Sequence, residues 1–253
     1  MPNFPSSHVT LVTGASTGIG RATAIDFARA GSNVAVHYNS SREAAEEAVK
    51  AIEKEGRKAW LFQADVSKAE ECRRLAAEVL KTCGRIDVLV NNAGALVERK
   101  PIVEMSDELW QYIFDLNTSS VFWVTQPVAR HMIERGSGAI VNVASIAGRN
   151  GGGPGSVAYA SSKAALTCFS KGLARELIGH GIRVNAVHPG VIFTPFHERF
   201  STPAMIASLI EKIPQGRGGQ AEEISKTIVF LASDDASYIV GEAVEINGGM
   251  LMD

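Results

Sequence analysis

Val9-Thr10-Leu11-Val12-Thr13-Gly14-Ala15-Ser16-Thr17-Gly18-Ile19-Gly20 decides the fold. Val9 to Val12 is an apolar run of strand character, the glycines after it mark a turn, and a helical pattern follows to about Ala30. Glycines in this register let the backbone turn tightly and approach a pyrophosphate, whose charge meets free amides and the positive end of the helix dipole. A plain strand-to-helix turn is the competing reading; the strand before and the helix after favour a dinucleotide-binding turn.

Outward from this unit the chain keeps alternating. Further strands are expected at Asn33 to His37, Lys58 to Gln63, Val88 to Asn91, Ala139 to Val143, Arg183 to His188 and Ala243 to Ile246. Helices are expected from Arg42 to about Glu55 and near 68 to 83, 107 to 134, 157 to 179 and 221 to 232. Continuous Val, Ile and Ala runs predict strands buried on both faces, and the repeated strand-helix order predicts right-handed crossovers. The expected fold is a Rossmann-type, doubly wound α/β/α sandwich on a seven-stranded parallel sheet. No repeat or linker divides the chain, so residues 1–253 read as a single dinucleotide-binding and catalytic domain. Residues 190–214 interrupt the alternation and read as a substrate-covering insertion.

Composition narrows the function. With 253 residues, 45% hydrophobic and 21% charged, the chain can build a large core. A formal net charge of −2 with scattered lysines and arginines gives no footprint for nucleic acid or an anionic membrane. Cys72, Cys83 and Cys168 are odd in number and widely spaced, which argues against a disulfide framework or a metal site. The first residues lack the pattern of a signal peptide and no long apolar run occurs, so a soluble cytoplasmic protein acting on a small molecule is expected, with no metal.

Tyr159-Ala160-Ser161-Ser162-Lys163 carries the expected chemistry. On a helix, residues four apart share a face, so the phenol of Tyr159 and the ammonium of Lys163 project side by side. A cation within about 4 to 6 Å lowers a phenol from its usual pKa of about 10 by roughly 1 to 3 units, which makes a general acid or base. Val141 to Ala144 is strand-like and ends at Ser145, whose hydroxyl can hydrogen-bond the same substrate oxygen. An ordinary amphipathic helix face competes with this reading of Tyr159 and Lys163.

These motifs together resemble the short-chain dehydrogenase/reductase family over nearly the whole chain. The family's T-G-x-x-x-G-x-G is Thr13 to Gly20, its N-N-A-G is Asn91 to Gly94, its serine is Ser145 and its Y-x-x-x-K is Tyr159 to Lys163. Asn117 matches the active-site asparagine, and an amide inside an apolar helix is locally odd. The resemblance implies a catalytic set of Asn117, Ser145, Tyr159 and Lys163: Tyr159 donates the proton, Ser145 helps hold the oxyanion, Lys163 binds the nicotinamide ribose, and Asn117 holds a proton-relaying water. It also implies cofactor contacts at Gly14, Ser16, Thr17, Gly18, Ile19 and Gly20, at Tyr38, Asn39, Ser40 and Arg42, and at Ala64, Asp65 and Val66. Further contacts are implied at Asn91, Ala93 and Gly94, at Pro189, Gly190, Ile192 and Thr194, and at Tyr159 and Lys163. For Asp65 a helix N-terminal role competes.

The implied activity interconverts a ketone and a secondary alcohol by hydride transfer. The pattern is most similar to the 3-oxoacyl-acyl-carrier-protein reductase type; a sugar or polyol dehydrogenase is the alternative, and a non-catalytic dinucleotide-binding sensor a more remote one. Phe193, Phe196, His197, Arg199 and Phe200 could wall an acyl channel or a sugar site, or form a lid that packs on its own domain. A carrier protein would be met by basic residues, for which Arg130, Arg135 and Arg149 are scattered candidates. After the second strand there is no carboxylate before Glu43, whereas Asn39, Ser40, Ser41 and Arg42 suit a ribose phosphate. Preference for NADP(H) is therefore expected with NAD(H) possible, although Thr17 stands where NADP-strict relatives often carry arginine. Val121, Phe122, Trp123, Leu166 and Phe169 extend beyond one helical stripe, and with the resemblance they imply a homotetramer, a dimer being the runner-up.

Overall fold

The computed structural model describes residues 2–252, apart from the side chains of His197 and Glu198; His197, a candidate wall residue, thus lies outside the described side chains. Seven parallel strands form the central sheet: β1 (Val9–Val12), β2 (Asn33–Tyr38), β3 (Ala59–Gln63), β4 (Val88–Asn91), β5 (Gly138–Val143), β6 (Ile182–Pro189) and β9 (Ala243–Ile246). Their order is β3-β2-β1-β4-β5-β6-β9, so the winding reverses between β1 and β4 and a crevice opens at the strands' carboxyl ends. A separate two-stranded pair joins β7 (Ile192–Phe193) to β8 (Gly219–Gln220).

Alternation along each strand sorts the core into two layers. Val12, Val34, Val36 and Val141 pack with Phe27, Ile52, Ile224 and Ile228 from α1 (Gly18–Arg29), α2 (Arg42–Lys54) and α10 (Ala221–Ala232). Leu11, Ala35, Leu89 and Ile140 face the other way, onto Leu75, Val128, Met132 and Leu177 of α3 (Ala69–Cys83), α5 (Ser120–Arg135) and α7 (Val157–Leu177). Both faces are covered, which is why the strands read as unbroken apolar runs rather than alternating ones.

A polar chain crosses this second layer. Asn91 and Asn142 are register partners on β4 and β5. The Asn91 amide donates to Asn142 Oδ1 at 2.9 Å and to Thr125 Oγ1 at 3.0 Å, and Asn142 donates to Ser170 Oγ at 2.8 Å. All four residues are buried, so these bonds replace the water each group has lost.

Three expectations change. The helix expected at 107 to 134 is broken into α4 (Asp107–Phe114), a π-helical turn (Asp115–Ser119) and α5. The insertion at 190–214 holds β7 and two short helices, α8 (Pro195–Phe200) and α9 (Pro203–Ile210), and a further short helix, α6 (Ala147–Asn150), follows Ser145. Of the five apolar residues expected at an interface, Val121 and Leu166 are buried against Ala144, with Phe169 packed beside them, and Trp123 packs on the second core layer. Phe122 is the one left largely exposed, at 43%. Among the described residues no helix is long and apolar enough to cross a membrane.

Candidate active site

A cleft of about 1080 Å³ runs along the carboxyl ends of the strands, from the glycine turn to Ser145, Tyr159 and Lys163 and on to the insertion. Gly14 (φ +64°) and Gly18 (φ +54°) hold the left-handed backbone that makes the turn, and side chains with a Cβ are strained there. Thr17 makes no side-chain bond to cap α1, so the first amides of that helix are left for whatever enters the cleft. A Cβ on Gly94 would stand 2.6 Å from Asn117 Oδ1, so only glycine lets the chain pass there. Free amides, a helix N-terminus and a floor without side chains fit the pyrophosphate and ribose of a dinucleotide.

His37, at the end of β2, fixes the glycine turn. Its Nδ1 accepts the Gly14 N–H at 3.0 Å and its carbonyl accepts the Ala15 N–H at 2.8 Å. Since Nδ1 accepts, the ring proton sits on Nε2, 3.0 Å from the Ala64 carbonyl. Burial holds the imidazole down at about 4, so the neutral form that this geometry requires persists at neutral pH. Neither motif nor spacing singles out His37; its one signal is a polar side chain in an otherwise apolar strand.

Tyr159 lies at the floor of the cleft, which Ser145 also lines, with its ring 5.9 Å from that of Phe196. The residue is half-buried, yet protein packed around its hydroxyl pushes the phenol up to about 12, against the smaller opposing effect of Ser145. This corrects the expectation of a lowered value. Lys163 Nζ stands 5.9 Å from the phenol's ring centre and donates to the Val143 carbonyl at 2.8 Å, so its charge is directed at β5 rather than at the phenol oxygen. Lys163 is itself buried, and desolvation lowers it to about 8.

Asn117 is fully buried in the π-helical turn and does not line the cleft. Its amide nitrogen donates to the carbonyls of Ala95 (2.8 Å) and Ile113 (2.9 Å), and its Oδ1 accepts from Ala95 N–H at 3.1 Å. The wider turn lets the side chain serve as backbone for both the helix and the loop after Gly94. With these bonds made, both N–H donors of the Asn117 amide are engaged by the protein, and none is left for the water expected there. Thr118 ties the same turn to α7 through the Ser162 carbonyl at 2.9 Å.

Of the expected cofactor contacts, the cleft is lined by Gly14, Ser16, Thr17, Gly18, Ile19, Gly20, Asn39, Ser40, Val66, Ala93, Gly94, Tyr159, Lys163, Pro189, Gly190, Ile192 and Thr194. Tyr38, Arg42, Ala64, Asp65 and Asn91 lie outside the lining. Arg42 points to solvent, 71% exposed, and pairs with Glu46 at 2.8 Å. Asp65 accepts from the Ser67 amide and hydroxyl at 3.1 and 2.7 Å, a local turn ahead of α3, whose N-cap position is Lys68 and carries no side-chain cap bond. Asn91 belongs to the buried polar chain, and its neighbour Asn92 faces the cleft instead, donating to the carbonyls of Thr13 and Gly14 at 2.9 and 3.1 Å. Arg135 and Arg149 are ion-paired, with Asp87 and Glu245 respectively. Among the described residues no cluster of three or more His, Cys, Asp or Glu could hold a metal.

Residues 14–251 match the family profile described as enoyl-(acyl carrier protein) reductase. The chain is 41% identical to the 3-oxoacyl-(acyl-carrier-protein) reductase of Staphylococcus epidermidis, over 96% of this chain and 98% of that one. It is 42% identical to the enzyme of the same description from Synechocystis, over 98% of both. Among solved structures, a Sinorhizobium meliloti 1021 protein assigned as a short-chain alcohol dehydrogenase superposes with a TM-score of 0.91 at 36% identity, over 98% of this chain and 97% of that one. Acetoin dehydrogenase from Enterobacter cloacae superposes with a TM-score of 0.86 at 33% identity, over 96% and 95%. With a glycine turn opening a doubly wound sheet, a Ser-Tyr-Lys floor and relatives matched along their full length, the chain belongs to the short-chain dehydrogenase/reductase family and is an oxidoreductase acting on CH–OH groups with a nicotinamide dinucleotide.

Proposed function

We propose that the protein reduces the 3-oxo group of an acyl thioester to the 3-hydroxy product, with NADP(H) preferred over NAD(H). The observation that carries this is that Ser145 and Tyr159 line one cleft together with the dinucleotide turn and an apolar wall of Leu96, Phe196, Phe200, Met205 and Leu209. The curated relatives' names support it over the sugar or polyol alternative.

Catalysis then follows from the side chains. The nicotinamide supplies the hydride when bound. Ser145 and Tyr159 both line the cleft, so a carbonyl oxygen bound between them would accept two hydrogen bonds that strengthen as it becomes an oxyanion. A phenol held at about 12 is fully protonated at neutral pH, which suits it to give its proton in the direction of reduction. Lys163, charged below about 8, would hold the nicotinamide ribose. Asn117 keeps the Ala95 segment in place and so sets the floor on which the substrate rests.

For the cofactor, Asn39, Ser40 and Ser41 line the cleft beyond β2 with no carboxylate to repel a 2′-phosphate. Arg42's exposed pair with Glu46 is weak, so the guanidinium is free to turn to a phosphate. A cytoplasmic homotetramer, with a dimer as runner-up, completes the reading; Phe122, Tyr112 and Val157 are its exposed apolar contacts on α5, α4 and α7. Sedimentation showing a stable monomer at micromolar concentration would remove that part.

The test of the activity is nicotinamide absorbance with a panel of 3-oxoacyl thioesters, keto sugars, polyols and simple ketones. Turnover of the thioesters well above the others is expected. Rapid turnover of a keto sugar with none of a thioester would overturn the proposal.

A further inference from the structure

The substrate end of the cleft carries charge of one sign. Its described lining contains Arg99, Arg199 and Lys212 beyond the catalytic lysine, and no aspartate or glutamate. Arg99 and Arg199 both lie against Phe200, and none of the lining residues between Gly14 and Gly20 is arginine or lysine. Contacts trace the path: the Tyr159 ring meets that of Phe196 at 5.9 Å, Phe196 meets Phe200 at 5.1 Å, and the Arg199 guanidinium lies 5.1 Å from the centre of the Phe200 ring.

Arg99 reaches the same place from the opposite wall. Its Nε donates to the Phe200 carbonyl at 2.9 Å and its Nη1 to the Pro154 carbonyl at 3.1 Å. These neutral acceptors aim the guanidinium without cancelling its charge, and most of its five N–H donors stay available. Arg99, Arg199 and Lys212 make no ion pair with a described carboxylate, whereas neighbouring Lys100 sits 3.8 Å from Glu98 and 3.5 Å from Glu104. The loop that carries Arg99 is also held under strain, since Val97 lines the cleft at φ +68°, where a β-branched residue is costly. Unneutralised guanidinium groups in a concave, partly apolar site attract anions and bind carboxylate or phosphate by paired hydrogen bonds.

Building on the ketoreductase reading, we infer that the carbonyl substrate is anionic: its reacting keto group lies at Tyr159, its carbon chain runs along Phe196 and Phe200, and a carboxylate or phosphate is gripped by Arg99 and Arg199. The negative group comes either from a carboxylate at the far end of the substrate's acyl chain or from the phosphate of a carrier arm.

Three thioesters with 3-oxoacyl chains of one length separate these sources: an N-acetylcysteamine thioester whose acyl chain ends in a carboxylate, the uncharged N-acetylcysteamine thioester and the coenzyme A thioester. At least one anionic form is expected to exceed the uncharged thioester about tenfold in kcat/KM, mainly through KM, and to lose that lead as ionic strength rises. Preference for the carboxylate-ended chain identifies a carboxylate site, and preference for the coenzyme A ester a phosphate site. Arg199→Ala, which removes no described hydrogen bond, and Arg99→Met should each bring the ratio of anionic to uncharged substrate towards one. Equal use of all three substrates, or a ratio unmoved by both substitutions, overturns the inference while leaving the ketoreductase reading intact. No nicotinamide oxidation with any of them removes the reading and the inference together.

Discussion

Lys163 and Val143 are joined across the active-site floor: the Nζ of the lysine donates to the strand carbonyl at 2.8 Å. The bond explains how a cation can sit beside a phenol and yet leave it protonated.

The first prediction concerns this floor. Tyr159→Phe removes the proton donor while keeping the ring that packs on Phe196, so turnover should fall by roughly 100-fold or more with cofactor affinity nearly unchanged. Stopped-flow turnover and cofactor titration check it; a variant that keeps its rate would show that another group donates the proton.

Lys163 also predicts a pH signature. Burial lowers its folded value to about 8 against an ordinary 10.5, so between these limits the unfolded chain holds more protons. Stability of the cofactor-free protein should therefore gain from this residue as pH rises from about 8 to 10.5, by at most about 3 kcal/mol. Lys163→Met should abolish that gain and also weaken cofactor binding. Denaturant melts at several pH values measure the first effect, and identical pH slopes in the two proteins would contradict it.

His37 gives the opposite limb. The unfolded chain protonates a histidine near 6.5 and the folded protein protonates this one only near 4, so acidification through that window favours unfolding. Replacing His37 with Asn should flatten the acid limb by up to about 3 kcal/mol and, by loosening the Gly14 amide, raise the KM for cofactor. Half-buried His8, also held near 4, keeps its own contribution in that variant. An unchanged acid limb would show that His37 does not carry it.

Asn117→Leu preserves volume but strips hydrogen bonds from three backbone groups, the buried Ile113 carbonyl and the part-buried N–H and carbonyl of Ala95. A loss of about 2 to 4 kcal/mol is expected, together with a fall in kcat larger than the change in cofactor affinity. Thermal melts paired with steady-state kinetics decide this, and a stable, active leucine variant would refute the positioning role.

Arg42→Ala is expected to raise the KM for NADPH several-fold and leave that for NADH nearly unchanged, because only the former carries a 2′-phosphate. Strong preference for NADH in the unmodified protein would count against the assignment outright.

The sheet and the glycine turn were legible because parallel strands covered on both faces leave long apolar runs, and such a turn constrains spacing tightly. The π-helical turn was not, since apolar periodicity over 107 to 134 looks the same whether one turn holds four residues or five. Asn91 and Asn92 show another limit. At a strand's end the sequence leaves open which of two neighbouring amides faces the cleft, and the pairing of Asn91 with Asn142 decides it. The i, i+4 rule correctly put Lys163 on the face of Tyr159 but could not show the Val143 carbonyl that meets its charge, because that group comes from another element. Arg42 had its competitor in plain sight, as Glu46 stands four residues on.

The buried chain from Asn91 through Asn142 to Ser170 sets a condition on assembly of the sheet. β4 and β5 are central strands joined by a long crossover, and two runs of Val, Leu, Ile and Ala could pair in several offsets with similar burial. In any offset but one the two asparagines miss each other and each leaves an amide stranded in an apolar layer. The network thus acts as a registration mark, selecting one alignment. Because β4 ends at the loop carrying Gly94 and β5 at the one carrying Ser145, a slip there would part the substrate floor from its hydroxyl by a whole residue step.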